Sequence, residues 1–344
     1  MNTSHHADDA VAPAAWAKPT LIVRVFWDLC WIAIAMGTVV AVLRLIVYDQ
    51  HFLLVCANSL AAYLYAPALL LLPLAVLRRR KILACVSLFL VVCHAVWIWP
   101  DYLPLLFGTS RHVERQEAAG LKIFSANLYS RSVHHEAMLN EINAADPDLV
   151  LLQEYSAGWR AALSDEDFRR RYPHRVGLAR EDAFGIAIYS KQPFVDQSLW
   201  ISGQVPQAEV VIQHGGRKIR VINWHPLPPR NVEYHAVWQQ QYDQLFEKLA
   251  TLDTPTLIVG DFNATQHARQ MRRFAQHGYR SAHEVTGRGY AVTWPNGTAW
   301  IPPMRLDQAM MSRRFECVTI REGVGQGSDH KPLIAEFVMV GDEN

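Results

Sequence analysis

The residues of this chain that are able to do chemistry stand at the ends of short apolar runs. Asn127 follows Ile123-Phe-Ser-Ala, Glu154 follows Leu149-Val-Leu-Leu-Gln, His225 follows Val221-Ile-Asn-Trp, and Asp261 follows Leu257-Ile-Val-Gly, with Asn263 two residues later. Asp307 follows Arg305-Leu, and Ser328-Asp329-His330 stands just before a last apolar run from Leu333 to Val340. Glu154 and Asp329 are hard oxygen donors of the kind that hold magnesium or manganese. Asp261 can hold or deprotonate a water, and Asn127 and Asn263 can donate hydrogen bonds to phosphoryl oxygens. His225 and His330 can stabilise developing charge or move a proton. Asp307 can orient a histidine. No Ser or Cys stands in a nucleophile motif, so the chemistry this set supports best is attack of metal-assisted water on a phosphoester. Taken singly, each residue fits a turn, a cap or a solvated loop. The set as a whole, in this order, points to one cleft.

Strand ends at one edge of a sheet bring residues distant in sequence together, and the surrounding pattern predicts such strands. Thr256 to Val259 has no polar face, as expected of a buried strand, and Gly260 reads as the sharp turn after it. Leu121 to Asn127, Leu149 to Gln153, Gly185 to Ser190, Ile219 to Trp224, Arg305 to Met311 and Leu333 to Val340 read as further strands. Ser132 to Ala145 reads as an amphipathic helix with Met138, Leu139 and Ile142 on one face, ended by Asp146-Pro147. Val232 to Leu252 reads as a second helix. No internal repeat is visible. The alternation predicts a layered α/β or α+β domain with a central pair of sheets between helices.

The first third of the chain follows a different grammar. Residues 1–20 read as a disordered tail, residues 21–107 as a three-helix transmembrane region, residues 108–120 as a polar linker and residues 121–344 as the catalytic domain. Three apolar segments, Val25 to Val47, Phe52 to Leu77 and Ile82 to Phe107, each approach or exceed the roughly 20 residues a helix needs to cross a bilayer. The cluster Arg78-Arg-Arg-Lys81 between the second and third segments marks an inner loop. The amino terminus is then inside, Tyr48 to His51 forms an outer loop, and everything after Phe107 lies outside. Arg44, at the outer end of the first segment, runs against that rule, as do Arg111 and Arg115.

Composition narrows the classes further. The net charge of +1 argues against a strongly cationic nucleic-acid binder. Of five cysteines only Cys317 lies outside the apolar segments, so neither a disulfide framework nor a zinc motif is present, and cysteine usage leaves the redox compartment open. Arg169, Arg170, Arg171, His174 and Arg175 form a basic stretch able to meet phosphates, or a solvated helix end.

The ordered motifs Ser125-Ala-Asn127, Leu152-Gln-Glu154, Gly185-Ile-Ala-Ile-Tyr-Ser-Lys191, Asn223-Trp-His225-Pro, Gly260-Asp-Phe-Asn-Ala264, Arg305-Leu-Asp307 and Gly327-Ser-Asp-His-Lys-Pro332 carry a resemblance. From Leu121 to Val340 the chain resembles the endonuclease/exonuclease/phosphatase family, whose fold is shared by DNase I-like nucleases, repair exonucleases, inositol polyphosphate 5-phosphatases and neutral sphingomyelinases. With its apolar segments it looks like the membrane-anchored bacterial branch. The resemblance implies a four-layered sandwich of two packed β-sheets flanked by helices, with the site at one end. It implies Glu154 as metal ligand, Asn127 on the metal or phosphate side, and Asp329 as a further metal-side ligand. It implies His225 and Asn263 on the scissile phosphate, Asp261 on the attacking water, and Asp307 paired with His330. Whether Asp261 or His330 is the base, and whether one or two metal ions act, stays open.

The expected function is therefore a membrane-anchored phosphodiesterase dependent on Mg2+ or Mn2+, nuclease-like, in a bacterial inner membrane with its catalytic domain on the outer side. Its substrate would be a nucleic acid or a lipid headgroup, and no obligate protein partner is evident. The alternatives are a lipid or inositol-phosphate phosphatase of the same fold, and a non-catalytic membrane-bound binding domain. A transporter is disfavoured, because the apolar segments carry no central ionisable residues.

Overall fold

The computed structural model describes residues 20–107, 120–298 and 300–340. Of the expected tail and linker, only Thr20 and Gly120 fall among the described residues. The amino-terminal part is helical throughout: α1 (Leu21–Ile46), α2 (Phe52–Ser59), α3 (Ala61–Tyr65), α4 (Pro67–Leu77), α5 (Lys81–Trp97) and α6 (Trp99–Phe107).

Three continuous spans are not what forms. Among the described residues one helix, α1, is long and apolar enough to cross a membrane, and a bent pair makes a second only if both halves are taken as one span. The second expected span is broken at Leu60 by a 69° bend. There the Ser59 hydroxyl donates back to the Val55 carbonyl at 2.9 Å, a bond that competes with the helix ladder and bends it. Pro67 then opens α4 without an N–H to give. The third expected span divides at Ile98 into α5 and α6. The 17 residues of α5 rise only about 26 Å at 1.5 Å each, short of a hydrocarbon core of about 30 Å.

Beyond Gly120 two six-stranded sheets pack face to face. One runs β11 (Phe315–Glu322), β12 (Leu333–Met339), β1 (Leu121–Asn127), β2 (Leu149–Gln153), β4 (Ile186–Ser190) and β3 (His174–Leu178). The other runs β5 (Phe194–Ser202), β6 (Val205–His214), β7 (Arg217–Asn223), β8 (Thr256–Asp261), β10 (Asp307–Ser312) and β9 (Tyr279–Ser281). Each has one parallel pair at its middle, β1 with β2 and β7 with β8, and antiparallel neighbours on both sides. The crossovers are α7 (His135–Ala145) and α10 (Val232–Ala250). The connectivity is thus repeated, although the sequence shows no repeat.

Apolar burial explains the layering. Ile123, Leu149, Leu151, Val210, Val221, Leu257 and Val259 meet between the sheets. Between the outer face of the first sheet and α7, α8 (Ala157–Ala162) and α9 (Glu166–Arg171), Phe124, Val150 and Leu152 of the strands pack with Trp159 of α8. On the outer side of the second sheet, Trp224 and Ile258 pack with Trp238 of α10 and Phe274 of α11 (Arg269–Gln276). The last short helix, α12 (Ala282–Val285), packs beside β10. The expected sandwich of four layers is present.

Two local expectations change. Gly260 is not a turn: β8 runs through it to Asp261. Its role is close approach, because a Cβ there would sit 2.3 Å from the Trp224 carbonyl oxygen. The β5–β6 hairpin was not expected at all. Its turn, Gly203-Gln204, has φ of +51° and +68°, as a two-residue hairpin loop matching the strand twist requires.

The helical part is docked on the sandwich. Val55 joins the core under α10. The Arg269 N–H donates to Asp49 Oδ2 at 2.7 Å, and the Tyr63 hydroxyl donates to the Pro303 carbonyl at 2.7 Å.

Candidate active site

The carboxyl ends of the two parallel strand pairs meet at one edge of the sandwich. Asn127 closes β1, and its Nδ2 donates to Glu154 Oε1 and to Asp261 Oδ2, at 3.1 Å each. One amide thus joins a carboxylate of the first sheet to a carboxylate of the second. Glu154 follows β2 in a left-handed conformation, φ +53°. A non-glycine residue there costs on the order of 1–3 kcal/mol, so the surroundings must hold it. The Ser130 N–H does so, donating to Glu154 Oε2 at 2.9 Å.

Asp261 ends β8 at 2% exposure. Its Oδ1 accepts the Asn263 N–H at 2.9 Å, and its Oδ2 lies 3.7 Å from Nε2 of both His225 and His330. Asp307 begins β10 directly opposite Asp261 in the ladder. Its Oδ2 takes His330 Nδ1 at 2.8 Å. Burial acts against a charged His330, but the carboxylates of Asp307, Asp261 and Asp329 outweigh it and push this imidazole up to about 10. Burial also raises Asp307. The two groups share one proton, and the second carboxylate facing Nε2 puts it on the imidazole.

His225 is fixed through its backbone. Its N–H donates to Gln207 Oε1 at 2.8 Å, and Gln207 Nε2 returns a bond to its carbonyl at 2.9 Å. Asn263, also left-handed at φ +46°, donates from Nδ2 to the Pro226 carbonyl at 2.9 Å. Ser328 ties the last loop to the first strand, its hydroxyl donating to the Asn127 carbonyl at 2.7 Å. Asn127, Glu154, His225, Asp261, Asn263, Asp307 and His330 therefore lie in one cleft. Asp329 stands at its side, where its Oδ2 takes the Trp294 indole N–H at 3.3 Å rather than any bond to Glu154. The basic stretch 169–175 does not join the cleft. Arg170 pairs with Asp167, and Arg171 with Asp146, at 2.5 and 2.9 Å.

Four carboxylates at Glu154, Asp261, Asp307 and Asp329 against one imidazolium leave the cleft negative, and buried Oδ1 atoms of Asp307 and Asp329 lack partners. That donor set fits a hard divalent cation. Asp261, Asp307 and His330 offer ligand atoms within 4.8 Å of one another. His330 Nδ1 and Asp307 Oδ2 are already engaged with each other at 2.8 Å, however. The half-buried Glu154 carboxylate, beside Asn127 and Asp261, is the better match.

Sequence reasoning assigned no role to Gln153, Gln207, Asn223, Thr293 or Trp294. Gln153 Nε2 donates to Asn223 Oδ1 at 2.6 Å across the sheets, and Asn223 Nδ2 donates to the Leu152 and Ala187 carbonyls at 3.0 Å. Thr293 Oγ1 accepts the Leu306 and Asp307 N–H groups at 3.0 and 3.1 Å. Polar residues inside otherwise apolar strands, as at Gln153 and Asn223, were the available signal. Gln207 and Thr293 carried none.

With this geometry in hand, comparison with known proteins is informative. The model of the Endonuclease/Exonuclease/phosphatase family matches residues 124–330, more than half of the chain. No curated protein matches it in sequence. Among solved structures, truncated TDP2 from Caenorhabditis elegans is similar, at 18% identity and a TM-score of 0.52, covering 64% of this chain and 97% of that one. TDP2 from D. rerio, complexed with a single-strand DNA product, has 15% identity and a TM-score of 0.54 over 64% and 99% of the two chains. The human nocturnin catalytic domain with a bound sulfate anion has 17% identity and a TM-score of 0.50 over 64% and 95%. At these identities the likeness is one of fold. The family match covers every strand end that carries a cleft residue, and on that ground the chain belongs to the endonuclease/exonuclease/phosphatase family.

Proposed function

We propose that this protein is a membrane-anchored, divalent-metal-dependent phosphodiesterase whose catalytic residues are those of the strand-end cleft. The observation that carries the reading is the Asn127 amide bridging Glu154 and Asp261, with two imidazoles facing Asp261 at 3.7 Å. A magnesium or manganese ion held by Glu154, with Asn127 and Asp329 beside it, would supply positive charge to the phosphoryl oxygens. Asp261 orients the attacking water and takes its proton, a role suited to a carboxylate whose Oδ1 is already pinned by the Asn263 N–H. His225 and Asn263 hydrogen-bond the scissile phosphate. Asp307 holds His330 protonated through Nδ1, so that Nε2–H faces the charge that develops on phosphorus.

In this reading residues 121–344 form the catalytic domain and residues 21–107 the anchor in a bacterial inner membrane, with the Arg78–Lys81 cluster on the inner side and the catalytic domain on the outer side. The substrate is a phosphodiester of nucleic acid or of a lipid headgroup. The docking of the helical part on the sandwich favours the lipid, because it holds the domain beside the bilayer.

Hydrolysis of bis-p-nitrophenyl phosphate by the full chain in neutral detergent, with magnesium, manganese or EDTA, tests this. The full chain is required because truncation at Leu121 would strip Val55 from the core under α10. Metal-dependent turnover is expected, and its absence from folded protein with either metal would refute the reading. Single-stranded DNA, RNA and phospholipid vesicles then separate the substrate classes.

A further inference from the structure

A second cavity, of about 580 Å³, lies between the helical part and the sandwich. Its lining includes Arg44, near the end of α1 and 5% exposed. Its Nη2 donates to the Tyr48 hydroxyl at 2.9 Å. Its Nε and Nη1 are buried without a hydrogen-bond partner. The guanidinium stacks on Tyr48 and Trp97, 4.7 and 4.8 Å from the ring centroids. Arg272, an exposed lining residue, lies 5.4 Å from the same Tyr48 ring. Among the described residues no carboxylate lies within ion-pair distance of Arg44. Asp101 and Glu284 also line the cavity, but Asp101 is turned to Gln266, at 3.4 Å, and to His267, at 3.6 Å. Burial, and then the nearby guanidinium charges of Arg44 and Arg305, hold His267 down to about 3. It is therefore neutral near pH 7.

A buried guanidinium whose Nε and Nη1 lack partners is costly, and such charged N–H donors suit phosphate oxygens. The remaining wall is apolar: Leu45, Val96, Trp97 and Pro100. Next to it, Leu45 and Ile46 of α1 are 63% and 72% exposed, as lipid-facing residues are. From this juxtaposition we infer that the Arg44–Arg272 cavity binds the phosphate of an anionic amphiphile, with the two guanidinium groups taking the phosphate and the apolar wall taking the acyl chains. Arg44 then stands at the outer end of α1, against the charge rule for membrane helices, because it serves a ligand. The inference does not depend on the hydrolytic reading. Tyr48 bonds the His267 carbonyl at 3.2 Å, so an occupant would also brace the loop that follows Asp261 and Asn263.

Isothermal titration of the full chain in neutral detergent, with EDTA present to silence hydrolysis, tests it with two probes. Dihexanoyl phosphatidylglycerol should bind saturably with one site per chain, and inorganic phosphate at least roughly tenfold more weakly, for want of contact with the apolar wall. Arg44→Gln and Arg272→Gln should each weaken the lipid by roughly tenfold, while magnesium-dependent bis-p-nitrophenyl phosphate turnover stays unchanged. Should Arg44→Gln fail to fold, the exposed Arg272→Gln decides alone. Saturable binding by neither probe, or lipid binding unaltered in the folded variants, overturns the proposal. Phosphate binding as tightly as the lipid overturns the assignment to an amphiphile.

Discussion

The two sheets have the same connectivity but contribute differently to the cleft. The first sheet brings its half-buried carboxylate, Glu154, on a strained residue after β2, with Asn127 beside it. The second brings buried, tightly bonded groups: Asp261 and Asp307 opposite each other in one ladder, with His330 added from the loop before β12. One rim is open and able to take a cation, and the other is closed and able to hold a proton. The Asn127 amide crosses between them at the cleft, and behind it the Asn223 side chain bonds Gln153, Leu152 and Ala187 of the other sheet. A repeated topology thus yields two non-equivalent edges, and neither sheet alone makes the site.

The largest effect should come from the proton-holding edge. Asp261→Ala should reduce kcat/KM for bis-p-nitrophenyl phosphate by roughly 10³-fold, with the circular dichroism melt showing the fold retained. Activity near wild type in that variant would remove Asp261 from the chemistry. Asp307→Asn should cost about 10²-fold or more. It should also move the alkaline limb of the pH–rate profile to lower pH, because the carboxylate that lifts His330 to about 10 is gone. An unmoved limb would mean that another group sets it.

The cation-holding edge should respond in another parameter. Glu154→Gln should raise the magnesium concentration for half-maximal rate by about 10-fold or more, read from metal titrations of turnover. If only kcat falls, with metal affinity intact, Glu154 does not hold the ion.

Between the edges, Gln153→Leu should destabilise the fold by about 1–3 kcal/mol in chemical denaturation, since Asn223 Oδ1 is left buried without its donor. The smallest effect lies far from the cleft. Burial, and then the Arg305 charge, hold His283 down to about 4. The unfolded chain therefore binds this proton first, and stability falls as pH drops from about 6.5. Burial opposes ionisation of Glu322, but His283 and Arg288 hold it down to about 2, so its contribution is lost below about 4.5. Thermal melts should show Tm falling on acidification from pH 7 to 5, and His283→Gln should flatten that fall.

The difference between the edges also explains what was legible in the sequence. Strands β1, β2, β4 and β8 are buried on both faces, so they read as continuous apolar runs, and the polar residues ending β1, β2 and β8 were visible as candidates. Strands β3, β5 and β11 carry exposed faces mixed with polar residues, and nothing in their composition marked them. The meeting of Asn127 with Asp261, 134 residues apart, was foreseen as shared position and not as contact, because register and packing are long-range properties. The apolar amino-terminal segments were legible as apolar but not as broken, since a Ser59 back-bond and the stop at Ile98 act below the resolution of a hydropathy window. The Arg44 cavity was foreshadowed only as a charge on the wrong side.

The account rests on the cation belonging to the Glu154 edge while Asp307 stays with His330. Anomalous diffraction from crystals of the full chain soaked in manganese locates that ion directly. The account predicts a peak on the Glu154 carboxylate, with the Asp307–His330 bond intact. A peak enclosed by Asp261, Asp307 and His330, with that bond broken, would contradict it.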